Sequence, residues 1–517
     1  MIRKLASMVL RERDRAPQAF LSEAESSISR GKALAIAGRI DEAVLTLESA
    51  LVLARGRRDS FLEADALDFL SWLSWIELDG ERTRSYAQRM LTLEVPATSP
   101  AAFRIFVRQA TQSLQLGRPQ AALSILEEAE HVSRDADIDS FIGYLSVRAD
   151  VYAALGQPGI ALTHAKLALD IAEKRSDPYQ RWRRLEYYGY ILYTNGRMHD
   201  SLATYRYAEE VARDASLTWE VPFSRIRAAW IAFLLGQMSE AHALIVSCFE
   251  CRQPVRWMVV TRAWVGLLIG LAVNDDDLTR RCSDPAHVVT ALDSGDSYSL
   301  GRTVAAFHEY YLHVGNEAEA QRLLELAVPQ LTSPDCAWPL FAAIAAHGNA
   351  SLVEYGQRLI ATFPKEHALA QAFRFWVSAI AAKRAGDARP SERYAGEAQM
   401  LFEENEHFYY AARCLEHSGR LREAYCTYRH LGAVRDAQRT HLGRPRRGRP
   451  GRSYELGRQR REVRDLLFAG ETANKIAARL GVSLRTVKNR VAEIYDFEGV
   501  ANRAELLQHS DRPERTR

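Results

Sequence analysis

Residues 472–495 read TANKIAARLGVSLRTVKNRVAEIY. Small or apolar residues fall at Ala473, Ile476, Ala477 and Leu480, a helical period. Gly481 follows, where a helix end needs a residue tolerant of left-handed backbone. Ser483 then offers a side-chain oxygen to the orphan N–H groups of a second helix. In that second helix Leu484, Val487, Val491 and Ile494 share one face. At about 100° per residue, the opposite face carries Arg485, Asn489 and Ala492, flanked by Thr486 and Lys488. Forked donors, an amide and an ammonium on a surface of short side chains suit base edges and phosphates in a major groove. An ordinary amphipathic pair with a solvated basic face has the same pattern, and the pair alone does not separate the two.

The flanks carry more. Leu456, Glu462-Val463, Leu466-Leu467 and Gly470 precede the pair. Gly499-Val500, Asn502-Arg503 and Glu505-Leu506 follow it. With Ile476-Ala477, Val482-Ser483, Thr486-Val487-Lys488 and Ile494-Tyr495, residues 456–510 resemble the LuxR-type (GerE-type) helix-turn-helix domain. The resemblance implies helices at 458–469 and 472–480, a recognition helix at 483–495 and a dimerising helix at 502–509. It also implies double-stranded DNA as partner, a homodimer on that DNA, and RNA polymerase as a further partner. Bases are then read from Lys488, Asn489 and Ala492. Arg485 and Thr486 meet phosphate or flanking bases, and Ser483 caps the helix beside a phosphate. Arg490 stands where the family has His. Other departures are Gly457-Arg458-Gln459-Arg460 for Thr-x-Arg-Glu, Ala473-Asn474-Lys475 for Asn-Lys-Glu, and Phe497-Glu498 for Lys-Leu.

Charge is unevenly spread. The 517 residues carry a net +3, but Gly443 to the C-terminus holds 18 Lys and Arg against 10 Asp and Glu. A basic tail on an acidic body suits a nucleic-acid binder whose body does not touch nucleic acid. Within the linker at 441–455, the run GRPRRGRPGR (443–452) excludes helix. Its Arg447-Gly448-Arg449-Pro450 resembles the core of an AT-hook, whose two Arg lie along an A·T minor groove. The alternative is a solvated hinge making general phosphate contacts. Residues 511–517 form a polar tail.

Upstream, a lead-in at 1–19 precedes a repeat over 20–440. Gly38, Gly80, Gly117, Gly156, Gly196, Gly236, Gly315, Gly348, Gly386 and Gly419 recur at near-even spacing, with Asn274 in the one wide gap. Five residues after each stands a small residue, as at Ala43, Ser85, Ala122, Ala161, Ser201, Ala241, Thr279, Ala320, Ser391 and Ala424; only Val353 departs. Seven further on, Ala50, Ala129, Ala168, Ala208, Ala286, Ala327 and Ala398 repeat the pattern. Each unit reads as a helical hairpin: the Gly ends one helix, and the small pair lets a neighbour approach the next. Large apolar residues such as Leu45, Leu47 and Leu51 fill the gaps. Such hairpins cannot bury both faces alone, so they stack, and about eleven are expected. The array resembles the tetratricopeptide repeat. With the C-terminus it is similar to the sensor and DNA-binding parts of the maltose-regulon activator family, without that family's ATPase. The expected fold is all-α: a tetratricopeptide-like superhelix, then a small four-helix LuxR-type domain.

Aromatics crowd two units, at Trp182, Tyr187, Tyr188, Tyr190, Tyr193, Tyr205, Tyr207, Trp219 and Trp230. They read either as wedges between repeats or as anchors of a ligand site. A protein, peptide or small ligand is the expected effector. No phosphate-binding G-x-x-x-x-G-K-[ST] loop and no H-E-x-x-H or G-x-S-x-G motif occurs. An enzyme, a metal site and a cofactor are not expected. Cys248-x-x-Cys251 has no second pair at zinc spacing and reads as core. The start MIRKLASMVLRERDR is too short in apolar residues for a signal peptide, and a cytoplasmic protein without a membrane span is expected. The expected function is sequence-specific transcription regulation. The alternative is a repeat scaffold using its basic C-terminus for non-specific DNA tethering.

Overall fold

The computed structural model describes residues 22–96, 99–131, 137–251, 254–331, 338–361, 367–442, 458–469 and 471–498. Every regular element among them is helical. The chain divides into two compact units, Met1–Leu442 and Gly443–Arg517.

The first unit is a succession of helical hairpins. In chain order they are α1–α2 (Glu23–Ile36, Ile40–Gly56), α3–α4 (Ser60–Ile76, Gly80–Leu91), α5–α6 (Pro100–Gln115, Pro119–Glu130) and α7–α8 (Ile138–Ala154, Pro158–Glu173). Next come α9–α10 (Pro178–Thr194, Met198–Asp214), α11–α12 (Glu220–Leu234, Met238–Ser247) and α13–α14 (Arg256–Val273, Asp276–Cys282). A single α15 (Ala286–Ser294) precedes α16–α17 (Ser297–His313, Glu317–Ala327), α18–α19 (Trp338–His347, Ala350–Ala361), α20–α21 (Ala368–Arg384, Ala388–Glu404) and α22–α23 (Phe408–His417, Leu421–Leu431). α24 (Val434–Leu442) closes the unit. The described residues thus form eleven hairpins, with α15 and α24 outside the pairing.

The turns follow from the glycines. Gly38, Gly117, Gly156, Gly196, Gly236, Gly315, Gly386 and Gly419 all have positive φ, and Asn274 takes φ +63° in the same role. The next residue returns its N–H to the carbonyl five back, as Arg39 does to Leu34 at 2.9 Å and Gln237 to Ala232 at 2.8 Å. That bond satisfies an otherwise orphaned helix carbonyl. The small positions are buried: Ala43, Ala50, Ala122, Ala129, Ala161, Ala208, Ala241, Ala327 and Ala424 are fully covered. Where Ser takes the first position it adds a tie across the hairpin. Ser201 Oγ donates to the Gly189 carbonyl at 2.8 Å, and Ser391 Oγ to the Ala379 carbonyl at 2.9 Å.

Five expectations are corrected. In the second hairpin Leu78 (φ +53°), not Gly80, takes the left-handed turn. Gly80 instead opens α4, where an added Cβ would lie 2.0 Å from the Ser294 carbonyl oxygen. The small-residue register there slips by two, leaving Ser85 exposed. Gly348 has no positive φ; its junction is two residues long, and Asn349 caps α19 by accepting from Leu352 N at 3.0 Å. Ala286 is exposed because α14 stops at Cys282, before a second small position can face a neighbour. Leu45 is 64% exposed, whereas Leu47 and Leu51 fill the core as read.

The array's interior is filled. Twelve residues of α11 are buried, and so are most residues of α13, among them Trp257, Trp264, Leu267 and Leu271. Early hairpins touch this centre: Trp219 Nε1 donates to the Ala35 carbonyl at 3.2 Å, and Trp72 lies 6.2 Å from Trp219. Late hairpins touch it too, with Phe233 and Tyr409 ring centres 4.4 Å apart. α13 is long and apolar enough to cross a membrane by length and composition, but 72% of it is buried inside the protein. A helix apolar all round is a core helix when other helices surround it.

The second unit holds α25 (Arg458–Phe468), α26 (Ala473–Leu480) and α27 (Leu484–Glu498). The expected helix at 502–509, the linker with Arg447 and Arg449, the lead-in at 1–19 and the tail at 511–517 lie outside the described residues.

Candidate nucleic-acid interface and the array interior

Among the described residues of the second unit, six buried side chains form the core: Val463 and Leu467 of α25, Ile476 and Ala477 of α26, and Val487 and Ile494 of α27. Leu466, Phe468, Leu480, Val482, Val491 and Tyr495 pack around them. The apolar period of 472–495 therefore lies in the core shared by the described helices α25, α26 and α27. α26 ends at Gly481, φ +62°, in the left-handed conformation. Val482 N donates to the Ala477 carbonyl at 3.1 Å and closes the turn. Ser483 Oγ accepts from Thr486 N at 3.1 Å and lies 2.8 Å from Thr486 Oγ1. The cap thus orders Thr486 as well as the first turn. Arg479 Nη1 pairs with Glu471 Oε1 at 2.6 Å, bracing α26 on its entry loop.

α27 and its cap expose most of the predicted polar residues. Ser483, Arg485, Lys488 and Asn489 are exposed, and Thr486 and Arg490 are half-buried. Ala492 lies in the same helix. One core assignment changes: Leu484 is 38% exposed. It is the first residue of α27, about 60° off the Val487 direction by the helical period, and the six buried side chains do not reach it. The exposed set can supply a fork, an ammonium and an amide within two turns of helix, with no carboxylate between Ser483 and Ala492.

Inside the array the aromatics act mainly as packing. Trp182, Tyr193, Tyr205, Trp219 and Trp230 are buried, Tyr187, Tyr188 and Tyr190 half-buried, and Tyr207 exposed. Trp182 stands edge-on to Trp219 at 5.5 Å and to Phe223 at 5.7 Å. Cys248 is buried too, its thiol directed at the Leu244 carbonyl at 3.2 Å.

Charged groups also lie in this interior, and periodicity did not single them out. Glu186 of α9 is buried and accepts from Ser224 Oγ, which in turn accepts from Trp182 Nε1 at 3.0 Å. Burial pushes the Glu186 carboxyl up to about 7, against the pull of Ser224 and Arg227. Burial likewise raises Glu220, at the start of α11, to about 8. Arg227 of α11 and Arg302 of α16 sit among aromatic rings, and His407 is held down to about 3 by burial and by Arg302. The sequence signal for these residues was weak: isolated charges within otherwise apolar helices.

No protein-family model matches the chain, and no curated protein does. Several solved structures show some likeness, three of which follow. A Rap protein complexed with competence and sporulation factor is 14% identical, with 74% of this chain and 98% of that chain covered and a TM-score of 0.43. The apo form of RapI is 10% identical, with 74% and 98% covered and a TM-score of 0.35. The Cut9–Hcn1 hetero-tetramer of the APC/C is 13% identical, with 95% and 97% covered and a TM-score of 0.34. Likeness at this level decides nothing about the array, whose description stands on its own helices, turns and buried residues.

Proposed function

We propose that this chain is a sequence-specific DNA-binding transcription regulator. Its C-terminal unit serves as a LuxR-type helix-turn-helix domain, and its repeat array receives a protein, peptide or small-ligand signal. The observation that carries the reading is α27. Its apolar side is locked into a core, its start is capped by Ser483, and its free side offers Arg485, Lys488 and Asn489. A helix held this way can enter a major groove without rearranging. Lys488 and Asn489 then read base edges, Arg485 and Thr486 hold the backbone, and the unit works as a dimer on two half-sites. RNA polymerase is the further partner this role implies, and no catalytic step is assigned to the chain.

The test is selection from a random DNA pool by the full chain. A regulator enriches one motif with two half-sites and prefers it over random DNA by about 10³-fold or more. A pool that stays random, with affinity set only by salt, points to the non-specific tether.

A further inference from the structure

Two guanidiniums share one phenol ring inside the array. Arg227 lies 4.8 Å from the Trp257 ring centre and 5.3 Å from that of Tyr298. Its Nη1 donates to the Tyr298 hydroxyl at 2.6 Å. Arg302 lies 4.4 Å from the same Tyr298 ring, with Trp230 at 5.4 Å and Trp264 at 5.5 Å. Burial works against the Arg227 charge; Tyr298, Tyr205 and Glu186 outweigh it and raise the guanidinium, and Arg302 opposes them. Among the described residues no carboxylate stands at ion-pair distance from Arg227; Glu186 acts on it only from further off. Burying like charges in an apolar setting is costly unless an anion offsets them. Trp230 and Trp264 are 4% and 1% exposed, yet their indole N–H groups find no acceptor among the described residues. Buried N–H groups usually have one. Arg227, Tyr190 and Tyr298 are half-buried, so the cluster reaches solvent on that side.

We propose that this cluster is a binding site for a small aromatic carboxylate. The planar fork of Arg227 matches two carboxylate oxygens, and the half-buried rings of Tyr190 and Tyr298 offer flat apolar walls for the body of the ligand. The ligand's negative charge answers the Arg227 guanidinium, which no described carboxylate approaches to ion-pair distance. The site belongs to the array alone, and it rests on the regulator reading only in being that regulator's signal site.

The experiment is calorimetric titration of the full chain with phenylacetate and indole-3-acetate, and with their neutral amides. At least one acid binds saturably, one per chain, and its amide binds about tenfold or more weaker. Arg227→Gln brings the acid down to the level of the amide. Arg183→Gln, which removes a guanidinium 5.1 Å from the Trp72 ring, leaves the acid unaffected. Circular dichroism checks that both variants fold; should Arg227→Gln unfold, the acid-against-amide contrast in the unaltered chain still decides. Absence of saturable binding by either acid, equal binding of acid and amide, or equal loss in both variants overturns the proposal. A chain that binds the acid but selects no DNA motif refutes the regulator and leaves the site. The reverse result refutes the site and leaves the regulator.

Discussion

Gly236→Ala tests whether distant repeats meet as described. Gly236 ends α11 at φ +77°. A Cβ there would lie 2.2 Å from Leu431 Cδ2 and 2.9 Å from its Cγ, and Leu431 closes α23, five hairpins further on. The left-handed backbone costs an alanine about 1–2 kcal/mol. Forcing the methyl group into a filled contact adds about 1–3 kcal/mol. The expected total is about 2–5 kcal/mol. Gly386→Ala is the control: φ is +86°, but nothing lies within 4 Å of the added atom. Only the backbone cost of about 1–2 kcal/mol applies there. Repeat arrays can unfold in parts, so urea melts of the full chain should be read with amide hydrogen exchange. Gly236→Ala should raise exchange in α23 as well as at its own turn, and Gly386→Ala only around α20–α21. Equal costs for the two variants, with α23 protection unchanged by Gly236→Ala, would refute the closure of the array.

Three further outcomes are expected. Lys488→Ala and Asn489→Ala should each weaken binding to the selected site by about 1–3 kcal/mol while leaving random DNA nearly unaffected, as read by fluorescence anisotropy on both duplexes. Ser483→Ala removes the acceptor for Thr486 N and should destabilise the C-terminal unit by about 1 kcal/mol, with faster exchange in the first turn of α27. Glu186 and Glu220 have carboxyls raised by burial to about 7 and about 8, so the folded chain holds protons that the unfolded chain has released. Their contribution is complete below the ordinary carboxyl range and is lost as pH rises through those values. Burial holds His164, His308 and His367 down to about 4 and His407 to about 3; they act oppositely, but only below the ordinary histidine range. Urea midpoints should therefore fall between about pH 6.5 and 8, and the double variant Glu186→Gln, Glu220→Gln should flatten that fall.

Local features were legible in the amino-acid sequence because neighbours in the chain create them. Gly481 and Ser483 act within one turn of helix, and Val463, Ile476, Val487 and Ile494 follow a single period. The same holds for the turns at Gly38, Gly156 or Gly236, where a left-handed residue and a small residue five later form one hairpin. Gly80 was misread because a glycine has two uses. There it admits the Ser294 carbonyl rather than a left-handed turn, and that need comes from a helix far along the chain. Leu78 could take the turn only because the surrounding packing supports its strain. Leu45 was misread because an apolar residue on a helix need not face the core. Arg227 and Arg302 were invisible as a pair: one comes from α11, the other from α16, and Tyr298 joins them only after the array has curled. That curl accumulates from small rotations between successive hairpins, for which no short stretch carries a signal.

The filled interior bears on what a signal can be. An α-helical peptide needs a channel about 10 Å wide, and a repeat array lends one only where its concave face is open. Here α11 and α13 occupy that space. They are held from one side by Trp219 on the Ala35 carbonyl and from the other by Phe233 against Tyr409. A peptide seated in the middle of the array would have to displace two helices whose buried aromatic side chains are each worth about 3–5 kcal/mol. A small ligand at Arg227 needs only to repack half-buried rings already at the surface. Such a ligand touches α9, α11 and α16 together; α11 packs on α22 of the last hairpin, and α13, whose Trp257 lies under Arg227, packs on α3 of the second hairpin and on α24. Binding at that one point can therefore change how tightly the early and late repeats close on the centre, and Gly236→Ala loosens the same closure from outside. If the two act on one equilibrium, the alanine should weaken acid binding, because a ligand stabilises whichever state it binds better. Unchanged acid affinity in Gly236→Ala would separate the site from the closure of the array.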